Sequence, residues 1–289
     1  MDYFFRIQGA IDYIEENLKG ELNIVDIASK AFFSSFYFQR LFQAMSGYSV
    51  QEYIRKRRLT EAAKILDSTE ISVLDIAVDF GYGSQESFTR AFKSLFDMTP
   101  AKYRKADDLN LGEFSKINFL DFANQNFDEL EVNKPEIKYL DKVNVVGHEY
   151  KTNLNGGKYF QEIPGFYDDF GKNEYYLKIE ERLAPAFPHG ITCNYCDNGD
   201  FSFVIGEMVK SPQENLVDLI NLEIPAGEYA VFKVKGSVDQ SQKTWKYIYG
   251  TWFPNSKYER ADGPDFEVVD VLGSVYPDNM VSEIYIPIL

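Results

Sequence analysis

One helix is written twice in this chain. Residues 36–46 read FYFQRLFQAMS and residues 86–96 read ESFTRAFKSLF; with Ser34 over Ser84, Phe38 falls on Phe88, Arg40 on Arg90, Phe42 on Phe92 and Tyr53 on Tyr103. An internal repeat of this kind restricts the fold to two copies of one helical unit placed in tandem. Each copy starts with a short helix, DIASKAF and then DIAVDFGY, followed by a turn and a second helix with a serine at its start. That order is a helix-turn-helix. Phenylalanines four apart share a helix face, so Phe38 with Phe42 and Phe88 with Phe92 anchor each second helix in a core.

Periodicity extends the helical reading over the first 105 residues. Helices are expected at 5–18, 24–30 (capped by Asn23), 36–45 (capped by Ser34 or Ser35), 50–68, 73–80 (capped by Ser72), 85–96 (capped by Ser84) and 100–103. About seven helices then form two similar halves around the rod at 50–68. The face opposite the phenylalanines offers Ser35, Phe36, Gln39 and Arg40 in the first copy. In the second it offers Gln85, Glu86, Ser87, Thr89 and Arg90. Arg and Gln pair bidentately with guanine and adenine edges, and Ser and Thr reach phosphate or base. Because one chain carries both helices, it can read two successive major-groove segments without a partner copy. Arg55, Arg57 and Arg58 are candidates for phosphate contact, with a solvated charged face as the alternative. Glu86 is a departure, since a carboxylate near phosphates is unfavourable unless it accepts from cytosine.

The net charge of -15 has the wrong sign for DNA, but residues 1–106 hold 14 basic and 14 acidic residues, so the excess belongs to the remainder. The acidic part favours a cationic ligand. Residues 107–134, acidic and Asn-rich, read as a linker or a hairpin tied to a second domain at 135–289. There the texture becomes β-rich, with VNVVGHEY, FSFVIGE, EYAVFKVKG, FEVVDVLG and EIYIPI between Gly, Pro and Asn signals. Helical segments at about 164–182 and 240–252 make this an α+β domain of two strand–helix–strands units. No apolar run approaches the roughly 20 residues of a membrane span, and the charged start lacks a signal-peptide core. Two cysteines suit a reducing cytoplasm.

The stretch ADGPDFEVVDV at 261–271 carries the most chemistry of the second domain. In a strand, Glu267 shares a face with Val269 and Val271, and a carboxylate there is costly unless something positive or hydrogen-bonding meets it. Trp245, Tyr249 and Trp252 stand at i, i+4 and i+7 of one helix, a stripe that forms either core or the wall of a site for a lipophilic cation. Glu283, alternating with Tyr285, is a second candidate acid. No catalytic triad spacing and no Gly-rich phosphate loop is present, and neither a cofactor nor an enzyme is expected. His189, Cys193 and Cys196 cluster in HGITCNYC without a fourth clear ligand, so no metal is expected either.

Residues 5–105 resemble the DNA-binding domain of the AraC/XylS transcription regulators. The signature is DIAVDFGYGSQESFTRAFKSLFDMTPAKYR, with Ile76, Ala77, Gly81, Tyr82, Phe88, Arg90, Phe92, Lys93, Pro100 and Tyr103 at its fixed positions. The resemblance implies groove contacts from Phe36, Gln39 and Arg40 and from Gln85, Ser87, Thr89 and Arg90. Residues 135–289 are similar to the GyrI-like or SOUL-type effector-binding domain of Rob-like regulators, through WKYIYGTWFPNSKYERADGPDFEVVDV and the terminal EIYIPI. This implies two pseudo-symmetric β-α-β-β units, a ligand cleft between them, and an acid at Glu267 in that cleft. The expected protein is a cytoplasmic transcription regulator of two domains, 1–106 and 135–289, acting as a monomer or weak dimer. Double-stranded DNA, a small aromatic or cationic effector and, as a candidate, RNA polymerase are its expected partners. The alternatives are a hydrolase acting on a small hydrophobic compound through Glu267 and a ligandless docking module.

Overall fold

The computed structural model describes residues 3–106, 114–124, 134–196 and 198–289. The chain divides into two compact units, one of Met1–Phe42 with Tyr48–Gln125 and one of Gln43–Gly47 with Asn126–Leu289.

The first unit is helical as its periodicity requires: α1 (Tyr3–Glu16), α2 (Ile24–Lys30), α3 (Ser35–Ser46, whose last turn from Gln43 counts with the second unit), α4 (Val50–Ser68), α5 (Val73–Asp79), α6 (Gln85–Phe96) and α7 (Pro100–Tyr103). Side-chain caps mark the starts. Asn23, Ser72, Ser84 and Thr99 accept from backbone N–H groups, and Ser49 with Glu52 closes a reciprocal capping box over α4. The repeated aromatics build two matching ladders. Phe38 meets Phe42 at 5.9 Å and Phe42 meets Tyr53 at 5.5 Å; Phe88 meets Phe92 at 5.5 Å and Phe92 meets Tyr103 at 5.3 Å. Each ladder thus ends on the repeated tyrosine.

Copy one closes its turn with Phe32 at φ +57°, where copy two has Gly81 at φ +77°. Phe32 is 73% exposed, so a bulky side chain holds a left-handed conformation with no burial to offset it. Arg6 steadies this turn, bonding the carbonyls of Ala31 and Phe32 at 2.8 and 2.7 Å.

Two expectations change here. Arg57 and Arg58 do not line an outer face. Arg57 is buried, bonded to Glu15 at 2.8 Å and to Glu61 at 2.8 Å, and Tyr53 donates to the same Glu15 at 2.6 Å. Arg58 donates to the carbonyls of Leu18 and Gly20. Steps of 100° around the helix scatter the basic cluster, so only Arg55 of these three points fully outward. The other change concerns 107–134. Residues 107–113 and 125–133 lie outside the described residues, but 114–124 belongs to the helical unit and not to a hairpin of the second. Phe119 is fully buried against Phe42 at 5.6 Å, and the Phe114 carbonyl accepts from Arg57 at 2.7 Å.

The second unit is one antiparallel sheet with two main helices. In chain order it runs β1 (Glu136–Leu140), β2 (Val143–Asn153), α8 (Lys158–Lys172), β3 (His189–Cys193), β4 (Asp200–Val209), β5 (Ile220–Ile224), β6 (Gly227–Gly236), α9 (Val238–Tyr247), β7 (Asp265–Val269) and β8 (Met280–Ile288). The spatial order is β1-β6-β8-β7-β3-β4-β2-β5. That sequence is a repeat, β-β-α-β-β twice, with the first strand of each repeat paired to the other half: β1 joins β6 and β5 joins β2. The expected β-α-β-β units are present, each with one more strand, exchanged. Gly147 pairs with Gly206, and a Cβ on either would run into the facing backbone, so the sheet curls tightly there. One face packs Val146, Phe201, Phe203 and Ile205 under α8; the other buries Val145, Ile191, Val204, Tyr229, Val231 and Phe266.

The clamp at Arg57 gives a direct expectation. Arg57→Ala leaves the largely buried Glu15 without its counter-charge, with Tyr53 as its remaining donor, and lowers stability by about 3 kcal/mol. Arg55→Ala, at an exposed position, changes it by less than about 0.5 kcal/mol. Urea denaturation followed by far-UV circular dichroism compares the two.

Candidate functional site

The outer face of α6 matches its expectation in exposure. Gln85, Glu86 and Arg90 are exposed and Thr89 is half-buried, while Ser87 bonds back to the Ser84 carbonyl at 2.8 Å within the cap. Glu86 sits at the helix start, where backbone N–H, the Ser84 hydroxyl and the Arg90 guanidinium hold its carboxyl below the usual range. The carboxylate thus faces the positive end of the helix and the arginine one turn on, which softens its conflict with phosphate. Arg55 is exposed and lies close enough to Tyr82 to act on it electrostatically.

Helix α3 differs from its counterpart. Ser35 and Phe36 are half-buried, but Gln39 and Arg40 are only 4% and 8% exposed. Their expected outward presentation does not hold in this structure. The apolar positions of α3 are Phe36, Tyr37, Phe38, Leu41, Phe42, Ala44 and Met45, against Phe88, Ala91, Phe92, Leu95 and Phe96 of α6, and Tyr37 adds an edge contact to Tyr3 at 6.2 Å.

In the second unit α8 packs on β2 and β4 and α9 on β6, which leaves β3 and β7 between them. Those two strands pair with Gly190 opposite Glu267. Glu267 points to the helix-bearing face. Its carboxylate accepts from Ser282 at 2.5 Å, from Ser241 at 3.2 Å and from Trp245. Protein atoms surround the carboxyl group, though the residue keeps some solvent exposure. Burial raises its pKa, and the three donors oppose this without overcoming it. Among the described residues no lysine or arginine is within ion-pair distance. Tyr167 of α8 comes down on this spot. Its hydroxyl would collide with a Cβ at Gly190, so the glycine makes its place, and the Phe203 ring stands 5.9 Å away.

The other expected ligand residues separate. Trp245 reaches Glu267. Tyr249 is buried and donates to Asp265, whose carboxylate is paired with the buried Arg260 at 2.8 Å. Trp252 packs edge-on to Phe232 at 5.1 Å. A π-helical turn at Ile248–Trp252 inserts an extra residue into the helix, so the three aromatics do not form one stripe. Glu283 and Tyr285 lie on the opposite sheet face, since Glu267 pairs with Ile284 while Phe266 and Val268 pair with Tyr285 and Glu283. There Tyr285 donates to Glu283 and stacks on Phe266 at 4.6 Å. Tyr167 and Gly190 were missed: nothing local in the sequence marks two residues that only strand register brings to Glu267. His189 and Cys193 stand at opposite ends of β3, and no group of three His, Cys, Asp or Glu among the described residues could hold a metal.

Comparison with known proteins adds two family matches. Residues 136–288 match the integron-associated effector binding protein family, and residues 27–106 match a helix-turn-helix domain. The right origin-binding protein of Escherichia coli (strain K12) is 26% identical over 309 residues, spanning all of this chain and 99% of its own length. The transcriptional regulator Rob of Salmonella typhimurium is 28% identical over 307 residues with the same coverage. The regulatory protein SoxS of Salmonella typhimurium is 45% identical over 98 residues, 34% of this chain and 92% of SoxS. No helix among the described residues is long and apolar enough to cross a membrane.

His189 adjoins Gly190 on the central strand, and burial pushes its pKa down to about 4. Its folded value lies below the unfolded 6.5, so the unfolded chain binds the proton first and stability falls as pH drops from 6.5 through about 4. A shift of that size corresponds to a loss of about 3 kcal/mol. Urea titrations across this range should show His189→Gln losing less stability than wild type.

Proposed function

The chain belongs to the helix-turn-helix regulators of the AraC type that carry an integron-associated effector-binding domain, and from that premise we propose which surfaces read DNA and which residue receives the effector. It is a DNA-binding transcriptional regulator. The proposed DNA surface is the exposed face of α6, with Gln85, Thr89 and Arg90 toward base edges, Glu86 orienting Arg90, and Arg55 at phosphate. The first copy contributes Ser35 and Phe36, while Gln39 and Arg40 contact DNA only once exposed. Ser87 serves the cap. This assigns the two recognition helices to adjacent major-groove segments of one site.

The effector reading rests on one observation. Glu267 is a carboxylate enclosed by protein, bonded by two hydroxyls and an indole, with no cation among the described residues to balance it. A buried acid without a counter-charge is met most favourably by a ligand that carries one. We place there a lipophilic cation, with Trp245 and the aromatic rings of α8 beside it, and we assign this unit to binding and not to turnover in a cytoplasmic regulator. Tyr249, Trp252, Glu283 and Tyr285 support the fold on either face of the sheet.

Two measurements test these assignments. Arg90→Ala weakens binding to the cognate site by about 1–3 kcal/mol and relaxes discrimination at one base position, read by gel shift on a randomised site. A uniform loss across all sequences moves Arg90 to the phosphate backbone. For the effector site, tetraphenylphosphonium is titrated while tryptophan fluorescence is followed. Glu267→Gln should weaken it at least about tenfold, or 1.4 kcal/mol. In wild type the affinity rises with pH as the Glu267 proton is lost above its ordinary value of 4.5, and in the Gln variant that rise is absent.

A further inference from the structure

The second unit is rich in tyrosines, and most of their buried hydroxyls are bonded inside the protein. Tyr150 donates to Asp169 at 2.8 Å, Tyr229 to the Pro225 carbonyl at 2.9 Å, Tyr285 to Glu283, and Tyr249 to Asp265. Tyr167 does not follow them. Its hydroxyl is buried and has no hydrogen-bond partner. The hydroxyl lies over Gly190, and the Glu267 charge is near enough to act on it.

Packing alone gives no reason for the oxygen. A phenylalanine would fill the same volume without leaving a polar atom unbonded, which is costly in a buried site. Any side chain at position 190 would push the ring away, so the backbone itself is shaped to admit this hydroxyl next to the acid. Glu267 already accepts from Ser241, Ser282 and Trp245, whose donors hold its oxygens from the α9 and β8 sides. What the site lacks is an acceptor for the phenol.

We infer that Tyr167 is a specificity-determining residue of the effector site, donating a hydrogen bond to an uncharged acceptor oxygen on the ligand. The inference rests on the proposed reading of Glu267 as the cation's partner and narrows it. The preferred ligand is a cation that also carries a carbonyl or ether oxygen a short distance from its charge. A hydrocarbon cation of the same shape satisfies Glu267 and leaves Tyr167 unbonded.

The test is a matched pair of ligands of equal length. Benzoylcholine carries an ester oxygen, and (4-phenylbutyl)trimethylammonium carries methylenes in its place. Both are titrated calorimetrically into the full chain as wild type, Tyr167→Phe and Glu267→Gln. Wild type should bind the ester about fivefold more tightly, the ratio one net hydrogen bond carries. Tyr167→Phe should bind the two alike while keeping its affinity for the hydrocarbon cation within about twofold. An ester preference that survives in Tyr167→Phe, or an equal loss of both ligands, overturns the inference. The uncharged pair ethyl benzoate and butylbenzene separates the two readings. If Glu267→Gln leaves both cations bound as in wild type, the cation reading fails, and an ester preference in the uncharged pair that depends on Tyr167 still upholds the hydrogen bond. Without ligand, Tyr167→Phe should unfold at the same temperature as wild type or up to about 4 °C higher. A lower midpoint would show that the hydroxyl holds the fold together, and would overturn the inference.

Discussion

The four-residue pairing of β3 with β7 holds the second unit together. Each half of the sheet ends on one of these strands, and their backbone bonds make two four-stranded pieces into one surface. The same pairing sets Gly190 against Glu267, between the strands that carry α8 and the strand that carries α9. Asp265, at the start of β7, is fixed by Arg260 and Tyr249 with almost no solvent contact. That ion pair is enclosed and bonded on all sides, the condition under which a buried pair keeps its geometry. It holds β7 in place, so the carboxylate two residues further on occupies a defined position.

The helical unit solves a related problem in a different way. Two copies of one helix pair must share a core, and they do so through aromatic ladders that end on Tyr53 and Tyr103. The copies are not equal. In the first, Tyr53 and Arg57 converge on Glu15, and residues 114–124 wrap across the ladder through Phe119. The second copy is plainer and exposes more of its outer helix. The proposed reading of two adjacent DNA segments does not require identical copies.

Much of this was legible because it is periodic. Phe38, Phe42, Phe88 and Phe92 repeat at helical spacing, and caps such as Ser72 and Ser84 sit where backbone N–H groups need them. Glu267 stood out as an acid alternating with valines. Strands β1 and β5 did not, because each is a sheet edge whose alternating residues are half-wet and carry no apolar run. The assignment of Glu283 and Tyr285 to the same site failed on register: one residue of offset between β7 and β8 decides which face a side chain takes. The aromatic stripe at 245, 249 and 252 assumed an unbroken α-helix, and the π-turn breaks it. Arg57 and Arg58 read as surface charge because sequence shows composition along a line, while burial depends on angle around the helix.

The exchange of β1 and β5 reaches beyond the geometry of the sheet. Each half carries the first strand of its twin, so neither can be completed by its own residues. A gene encoding only one half would yield a chain with a missing edge and a spare strand, and two such chains could satisfy each other. In that sense the domain is a dimer recorded in a single polypeptide. Covalent linkage also frees its two halves to diverge, so that one carries an acid, Glu267, where it faces a glycine, Gly190, of the other.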